Sequence, residues 1–309
     1  MQKSPPLEHA SPRIRRGFVD TPDGQVHYRE AGQPVPDAPP LILIHASPGS
    51  ALTLAPLLRA FGRHRHVIAP DTLGNGDSSA PAHHEVGVPY LAQAHRHALD
   101  ALGIERFDLY GTHTGASIAS ELAIAHPARV RALILDGVGL YGEQEQAELL
   151  AHYVPEVTID QNGSHLHLIW SFVRDAYLFW PWYRKDKTHR RPAGLPNAHV
   201  LHDKLVEVLK AARTFHIPYR AALGHDKRAR LPLLRVPTLL TCGVDDMLHE
   251  YLAELSTLVP QAQCMAHRGI ETPEALADTV ALFERHFSAQ DTSHPRKSDG
   301  DMSAMAASA

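Results

Sequence analysis

The sequence holds only 2 cysteines, Cys242 and Cys264, in separate apolar segments and without metal-ligand spacing. Reduced core thiols are therefore expected, not a disulfide or a zinc site. No run of lysine and arginine is long enough to build a phosphate-binding stripe, and the formal net charge is -4, so nucleic acid is not expected as a partner. No stretch approaches the roughly 20 apolar residues of a membrane span. The N-terminal MQKSPPLEHASPRIRR is basic and proline-bearing but has no apolar segment of the kind a signal peptide needs. A cytoplasmic protein without a membrane partner is expected. No G-x-G-x-x-G fingerprint, Walker loop or His/Cys/carboxylate metal spacing occurs where an α/β fold would use it, so neither cofactor nor metal is expected. Aromatics make up only 6% of the chain, yet they concentrate in residues 168–183.

What is present is the balance of a globular protein: 309 residues, 44% hydrophobic and 21% charged, which excludes collagen-like, coiled-coil and largely disordered chains. The 23 histidines are many. Most, such as His64, His66, His83 and His84, lie in polar loop-like stretches and read as exposed side chains. Only a place within a motif distinguishes one of them.

Residues 17–32 alternate around Asp23-Gly24, the pattern of an antiparallel hairpin. Short apolar runs at 41–44, 66–69, 107–110 and 130–135 then alternate with helical spacing at 50–61, 89–102 and 115–125. This predicts a mostly parallel, doubly wound α/β sheet with helices on both faces. The alternation breaks after Gly139 and resumes with strands at 238–241 and 262–265 and helices at 248–258 and 273–287. The expected organisation is a core of 13–140 and 231–287, a helical cap inserted at 141–230, and disordered ends at 1–12 and 288–309.

The segment Phe107-Asp108-Leu109-Tyr110-Gly111-Thr112-His113-Thr114-Gly115 leads a strand straight into a helix through a turn flanked by small residues. It resembles the nucleophile elbow of the α/β-hydrolase superfamily, G-x-S-x-G, in which flanking glycines let strand and helix approach closely. Here His113 stands where that family has its serine. Four further segments resemble family marks in the family's order: Leu43-Ile44-His45-Ala46-Ser47-Pro48-Gly49, Ala69 through Ser78, Cys242-Gly243-Val244-Asp245-Asp246, and Ala266-His267-Arg268-Gly269. The resemblance covers roughly residues 13–287. It implies backbone N–H groups of Ser47 and Thr114 as an oxyanion hole, His267 as base, and Asp246 as the acid that orients it, with Asp245 and Asp136 as alternative acids. His45 is implied to shape its loop, and the Asp71 loop to support the site.

A neutral imidazole at the elbow carries a nucleophilic lone pair at neutral pH, so His113 can attack a carbonyl directly, with His267 and Asp246 activating the water that releases the acyl group. Alternatively His267 and Asp246 activate water against the substrate while His113 protonates the leaving group. The same two histidines can also shuttle a proton in a lyase or isomerase, and loss of the serine can mark a noncatalytic binding protein. Two adjacent imidazoles are expected to share at most one proton near neutrality. Retention of a titratable elbow residue with a matching acid and base favours turnover. The expected substrate is a small, partly apolar molecule whose ester, lactone or activated C–C bond is hydrolysed. Trp180, Trp182 and Tyr183 are candidate contacts, with Arg174, Lys185, Arg190 or Arg191 available to a carboxylate.

Overall fold

The hairpin is built from β1 (Arg15–Thr21) and β2 (Gly24–Ala31), paired antiparallel, with Gly24 closing the turn at a φ of 111° that an L side chain rarely adopts. The computed structural model describes residues 12–36, 38–83, 85–192 and 194–290. The expectations for 1–11 and for 291–309 lie outside the described residues, as does that for His84.

β2 lies antiparallel to β4 (Val67–Pro70), and the remaining pairs are parallel: β3 (Leu41–Ile44) with β4 and with β5 (Phe107–Thr112), β5 with β6 (Val130–Asp136), β6 with β7 (Thr238–Gly243), and β7 with β8 (Gln263–His267). The order across the 8-stranded sheet is β1-β2-β4-β3-β5-β6-β7-β8. β3 and β4 are buried at every residue, which explains why they read as unbroken apolar runs without alternation.

Helices cover both faces. α2 (Val88–Ala101), α3 (Thr114–Ala125) and α9 (Leu252–Leu258) bury residues in one apolar cluster, and α1 (Ala55–Phe61) and α10 (Pro273–Ala289) bury theirs in the other. Helix limits follow local chemistry. α1 begins at Ala55, later than the periodicity at 50–61 predicts, because Pro56 lacks an N–H and belongs in a first turn. α10 starts behind Thr272, whose hydroxyl accepts from Ala275 N at 3.2 Å, and extends to Ala289, beyond the boundary expected at 287.

Between β6 and β7 the chain forms α4 (Glu143–His152), α5 (Ser164–Leu178), α6 (Ala198–Lys210), α7 (His216–Leu223) and α8 (Lys227–Arg230). Residues of α4 to α7 and the connections between them close around their own apolar cluster, which includes Leu149, Tyr153, Phe172, Trp182 and Phe215. Among the described residues no helix is long and apolar enough to cross a membrane.

Parallel strands share a direction, so their C-terminal ends collect at one edge of the sheet, where ligands of open α/β folds are bound. That edge carries His113, Asp136, Gly243 and His267.

Candidate active site

His113 connects β5 to α3 with φ 51° and ψ -110°, and it is the one residue other than glycine with positive φ among the described residues. Such a conformation costs of order 1–3 kcal/mol and persists only when its surroundings impose it. Here the neighbours do so by close approach. A Cβ on Gly111 would lie 2.2 Å from the Gly115 carbonyl oxygen, and one on Gly115 would lie 2.2 Å from that of Ile44. Gly115→Ala is therefore expected to destabilise the fold by about 1–3 kcal/mol through overpacking, read as a lower denaturation midpoint; an unchanged midpoint would contradict the tight elbow. The His113 backbone N–H donates to the Asp136 carbonyl at 2.8 Å, tying the turn to β6.

The imidazole of His113 lies against Gly137, where a Cβ would meet Nε2 at 2.9 Å. Nε2 is 2.9 Å from Asp246 Oδ2, so that nitrogen carries the proton and donates it to the carboxylate. Nδ1 makes no hydrogen bond among the described residues and keeps its lone pair, and the side chain is 32% exposed. Asp246 is held in turn by the Leu248 N–H, which donates to Oδ1 at 2.8 Å. Burial works against a charged imidazole, but the charge and hydrogen bond of Asp246 outweigh it, and the His113 pKa is raised. Burial also opposes charge on Asp246, and there the His113 charge and hydrogen bond win, holding the carboxyl well below its usual range.

The pairing of acids and bases differs from the expectation that Asp246 orients His267. His267 Nε2 is 3.0 Å from Asp136 Oδ1, and Tyr110 donates its hydroxyl to the other oxygen of Asp136 at 2.7 Å. Gly243 of β7 pairs in register with His267 of β8, and a Cβ there would lie 3.6 Å from Cε1, an ordinary contact distance. The side chain of His267 reaches across β7 to the end of β6. At the same time the imidazole of His113, longer than a serine side chain, reaches Asp246 itself. The Gly269 N–H donates to His267 Nδ1 at 3.0 Å, so both ring nitrogens of His267 are engaged. Burial tends to lower the His267 pKa, and the Asp136 hydrogen bond and charge raise it overall. Asp245 makes none of these contacts.

A cavity of about 330 Å³ opens on His113 and Asp246, and Ser47, Thr114, Ser117 and Trp180 also line it; His267 does not. Neither the Ser47 N–H nor the Thr114 N–H has an acceptor among the described residues. Tyr141, Tyr153, Phe172, Tyr177 and Tyr219 form aromatic walls. Of the three aromatic candidates, Trp180 alone reaches the cavity. Trp182 is buried among the inserted helices, with its indole N–H donating to the Tyr153 carbonyl at 2.8 Å, and Tyr183 donates its hydroxyl to Glu148 at 3.1 Å. Arg174 and Lys185 pair with Asp175, whereas Arg191 lines the cavity and, among the described residues, its side chain binds only the Ala176 carbonyl.

The supporting loops are fully engaged. His45 donates from Nδ1 to the Ala46 carbonyl at 2.8 Å and accepts the Thr72 N–H at Nε2 at 2.9 Å, and burial lowers its pKa. Asp71 accepts from His27 Nδ1 at 2.8 Å, from Ala51 N at 2.6 Å and from Asp77 N at 3.0 Å. His27, Asp71 and Asp77 bring possible ligand atoms within 4.8 Å of one another. With Asp71 so occupied and Asp77 paired to Lys210 at 2.8 Å, the trio is explained without an ion.

Sheet order, elbow and cavity together define an α/β-hydrolase fold, and the alpha/beta hydrolase fold family matches residues 39–269. The chain belongs to this family. It is 30% identical over 248 residues, 76% of this chain and 78% of the relative, to the 2-hydroxy-6-oxononadienedioate/2-hydroxy-6-oxononatrienedioate hydrolase 2 of Pseudomonas putida. It is 41% identical over 101 residues, 32% of this chain and 36% of the relative, to a 2-hydroxymuconate semialdehyde hydrolase of Pseudomonas sp. (strain CF600). Several matches are equally partial, spanning 36–43% of the relative's length. Among solved structures, the enol-lactonase from Burkholderia xenovorans LB400 superposes with a TM-score of 0.68 at 19% identity, covering 88% of this chain and 100% of that one.

Sequence reasoning did not find Tyr141, Tyr153, Tyr219 or Lys227 on the cavity wall, and no local pattern marks them. Ser117 was legible in principle, since it stands four residues after His113 and so on the same face of the helical turn.

Proposed function

We propose that this chain is a hydrolase cleaving an ester, lactone or activated C–C bond of a small, partly apolar molecule, with His113 as general base and Asp246 as its orienting acid. The observation that carries the proposal is the elbow imidazole: one nitrogen is fixed on Asp246 and the other is left for a ligand in the cavity. His113 Nδ1 takes a proton from water as the water oxygen attacks the substrate carbonyl. The developing oxyanion is received by the backbone N–H groups of Ser47 and Thr114. As the tetrahedral intermediate collapses, the imidazolium returns the proton to the leaving group, and Asp246 stabilises the charge in between. The names of the relatives, hydrolases of carbonyl compounds such as 2-hydroxymuconate semialdehyde, support this reaction class.

Direct attack by Nδ1 would leave an acyl-imidazole, for whose hydrolysis the cavity wall offers no second histidine among the described residues. The test is turnover of a panel of aryl and alkyl esters and lactones, with hydroxylamine trapping and mass spectrometry of quenched enzyme. Turnover without an acylated enzyme is expected; a stoichiometric acyl adduct on His113 would replace the base role with a nucleophilic one, and no turnover of any panel member would defeat ester and lactone hydrolysis.

His267 acts in this scheme through Asp136 only. His267→Gln, which can still donate to Asp136, is expected to lose less than roughly tenfold in kcat/KM, against the 10²–10⁴-fold that a general base contributes. A loss as large as that of His113→Ala, in a folded variant, would return His267 to the reaction.

A further inference from the structure

Two polar side chains of the cavity wall take no part in the reaction above. Lys227, at the start of α8, is buried at 8% exposure, donates from Nζ to the Ala222 carbonyl at 2.7 Å and makes no ion pair among the described residues. Ser117, on α3 one turn past the elbow, is 2% exposed, and its hydroxyl has no hydrogen-bond partner among the described residues. Both line the cavity that holds His113. A buried ammonium with two idle N–H groups and a buried hydroxyl with no partner are each costly unless something completes them. Burial, with a contribution from Arg228 against that of Asp226, lowers the Lys227 pKa to about 8, which leaves the amine mostly charged at neutral pH.

We propose that Lys227 and Ser117 form an acid-binding subsite that holds a carboxylate of the substrate at a distance from the scissile carbonyl. This names the substrate class of the hydrolase reading and rests on it. The chemistry is matched: ammonium and hydroxyl offer donors to two carboxylate oxygens, and charge-assisted bonds of this kind are the strong ones. The surrounding charge favours an anion. Asp246 is committed to His113, Lys204 lies 3.9 Å from Glu207, and Arg191 adds a further cation to the wall. Ala222 and Leu223 beside Lys227 leave the rest of this wall apolar, which suits a single carboxylate on a carbon chain better than a multiply charged phosphate.

The test compares hemimethyl esters of the straight-chain diacids from succinate to suberate with neutral methyl esters of matching chain length. The ratio of kcat/KM for acid over neutral ester is read in wild type, Lys227→Met and Ser117→Ala, with Lys210→Met as a charge control at an exposed lysine. Wild type is expected to prefer the acid at one chain length, and Lys227→Met to lower that ratio by roughly tenfold or more, with a smaller drop in Ser117→Ala. A wild-type ratio near unity at every length, or a ratio untouched in both folded variants, would overturn the subsite while leaving the hydrolase reading standing. If no ester is turned over, titration calorimetry with adipate and glutarate decides the subsite alone: binding weakened in either variant supports it, and no binding to wild type overturns it. Ser117→Ala keeps the test decisive should Lys227→Met fail to fold.

Discussion

His113→Ala is expected to lower kcat/KM by between about 10²- and 10⁴-fold on any ester that the wild type hydrolyses, the contribution typical of a positioned general base. The variant removes the imidazole whose Nδ1 takes the proton from water and leaves the Ser47 and Thr114 N–H groups in place, so residual turnover from carbonyl polarisation remains. The fold is expected to survive, because the elbow is shaped by Gly111 and Gly115 and not by packing of the imidazole. His113→Ser sharpens the test. A serine there has the family's usual nucleophile, but its hydroxyl is too short to reach Asp246, and His267 has both nitrogens engaged by Asp136 and the Gly269 N–H. The serine variant is therefore expected to be as impaired as the alanine variant. Activity at wild-type level in His113→Ser would mean that His267 turns into the cavity, and the assignment of His113 as base would fall.

Asp246→Asn is expected to reduce the plateau of kcat/KM by between about 10²- and 10⁴-fold, since the amide still accepts a hydrogen bond but no longer stabilises the imidazolium. Its effect on pH dependence has a definite sign. His113 works as a base only when neutral, so activity is lost as pH falls through its pKa. In the wild type Asp246 raises that pKa against the opposing effect of burial. Removing the charge leaves burial in place, so the acidic limb of the profile is expected to move to lower pH even as the plateau drops. A limb that stays fixed, or moves upward, would show that Asp246 does not set the ionisation of the reacting base.

The order of strands and helices was legible in the sequence because its signals are local. The all-apolar run of β3, the Asp23-Gly24 turn and the Gly111-Gly115 frame around His113 each fix a conformation through neighbours a few residues away. The same holds for the placing of a titratable group at the elbow and of Asp246 and His267 at the ends of later strands.

Which acid serves which histidine was decided only by the tertiary structure. That choice depends on His267 reaching across β7 to Asp136, and on the reach of an imidazole from the elbow to Asp246, both set by strand register and side-chain length in space. The roles of Trp180 and Trp182 separated for a similar reason. They are two residues apart, yet one faces the cavity and the other fills the inserted cluster, because each follows the packing of helices that the chain brings together from distant segments. Lys227 and Ser117 meet the same cavity although more than a hundred residues separate them. The sequence by itself determined the class of fold and the identity of the elbow residue; burial and register across the sheet determined the partners of that residue and the surface a ligand meets.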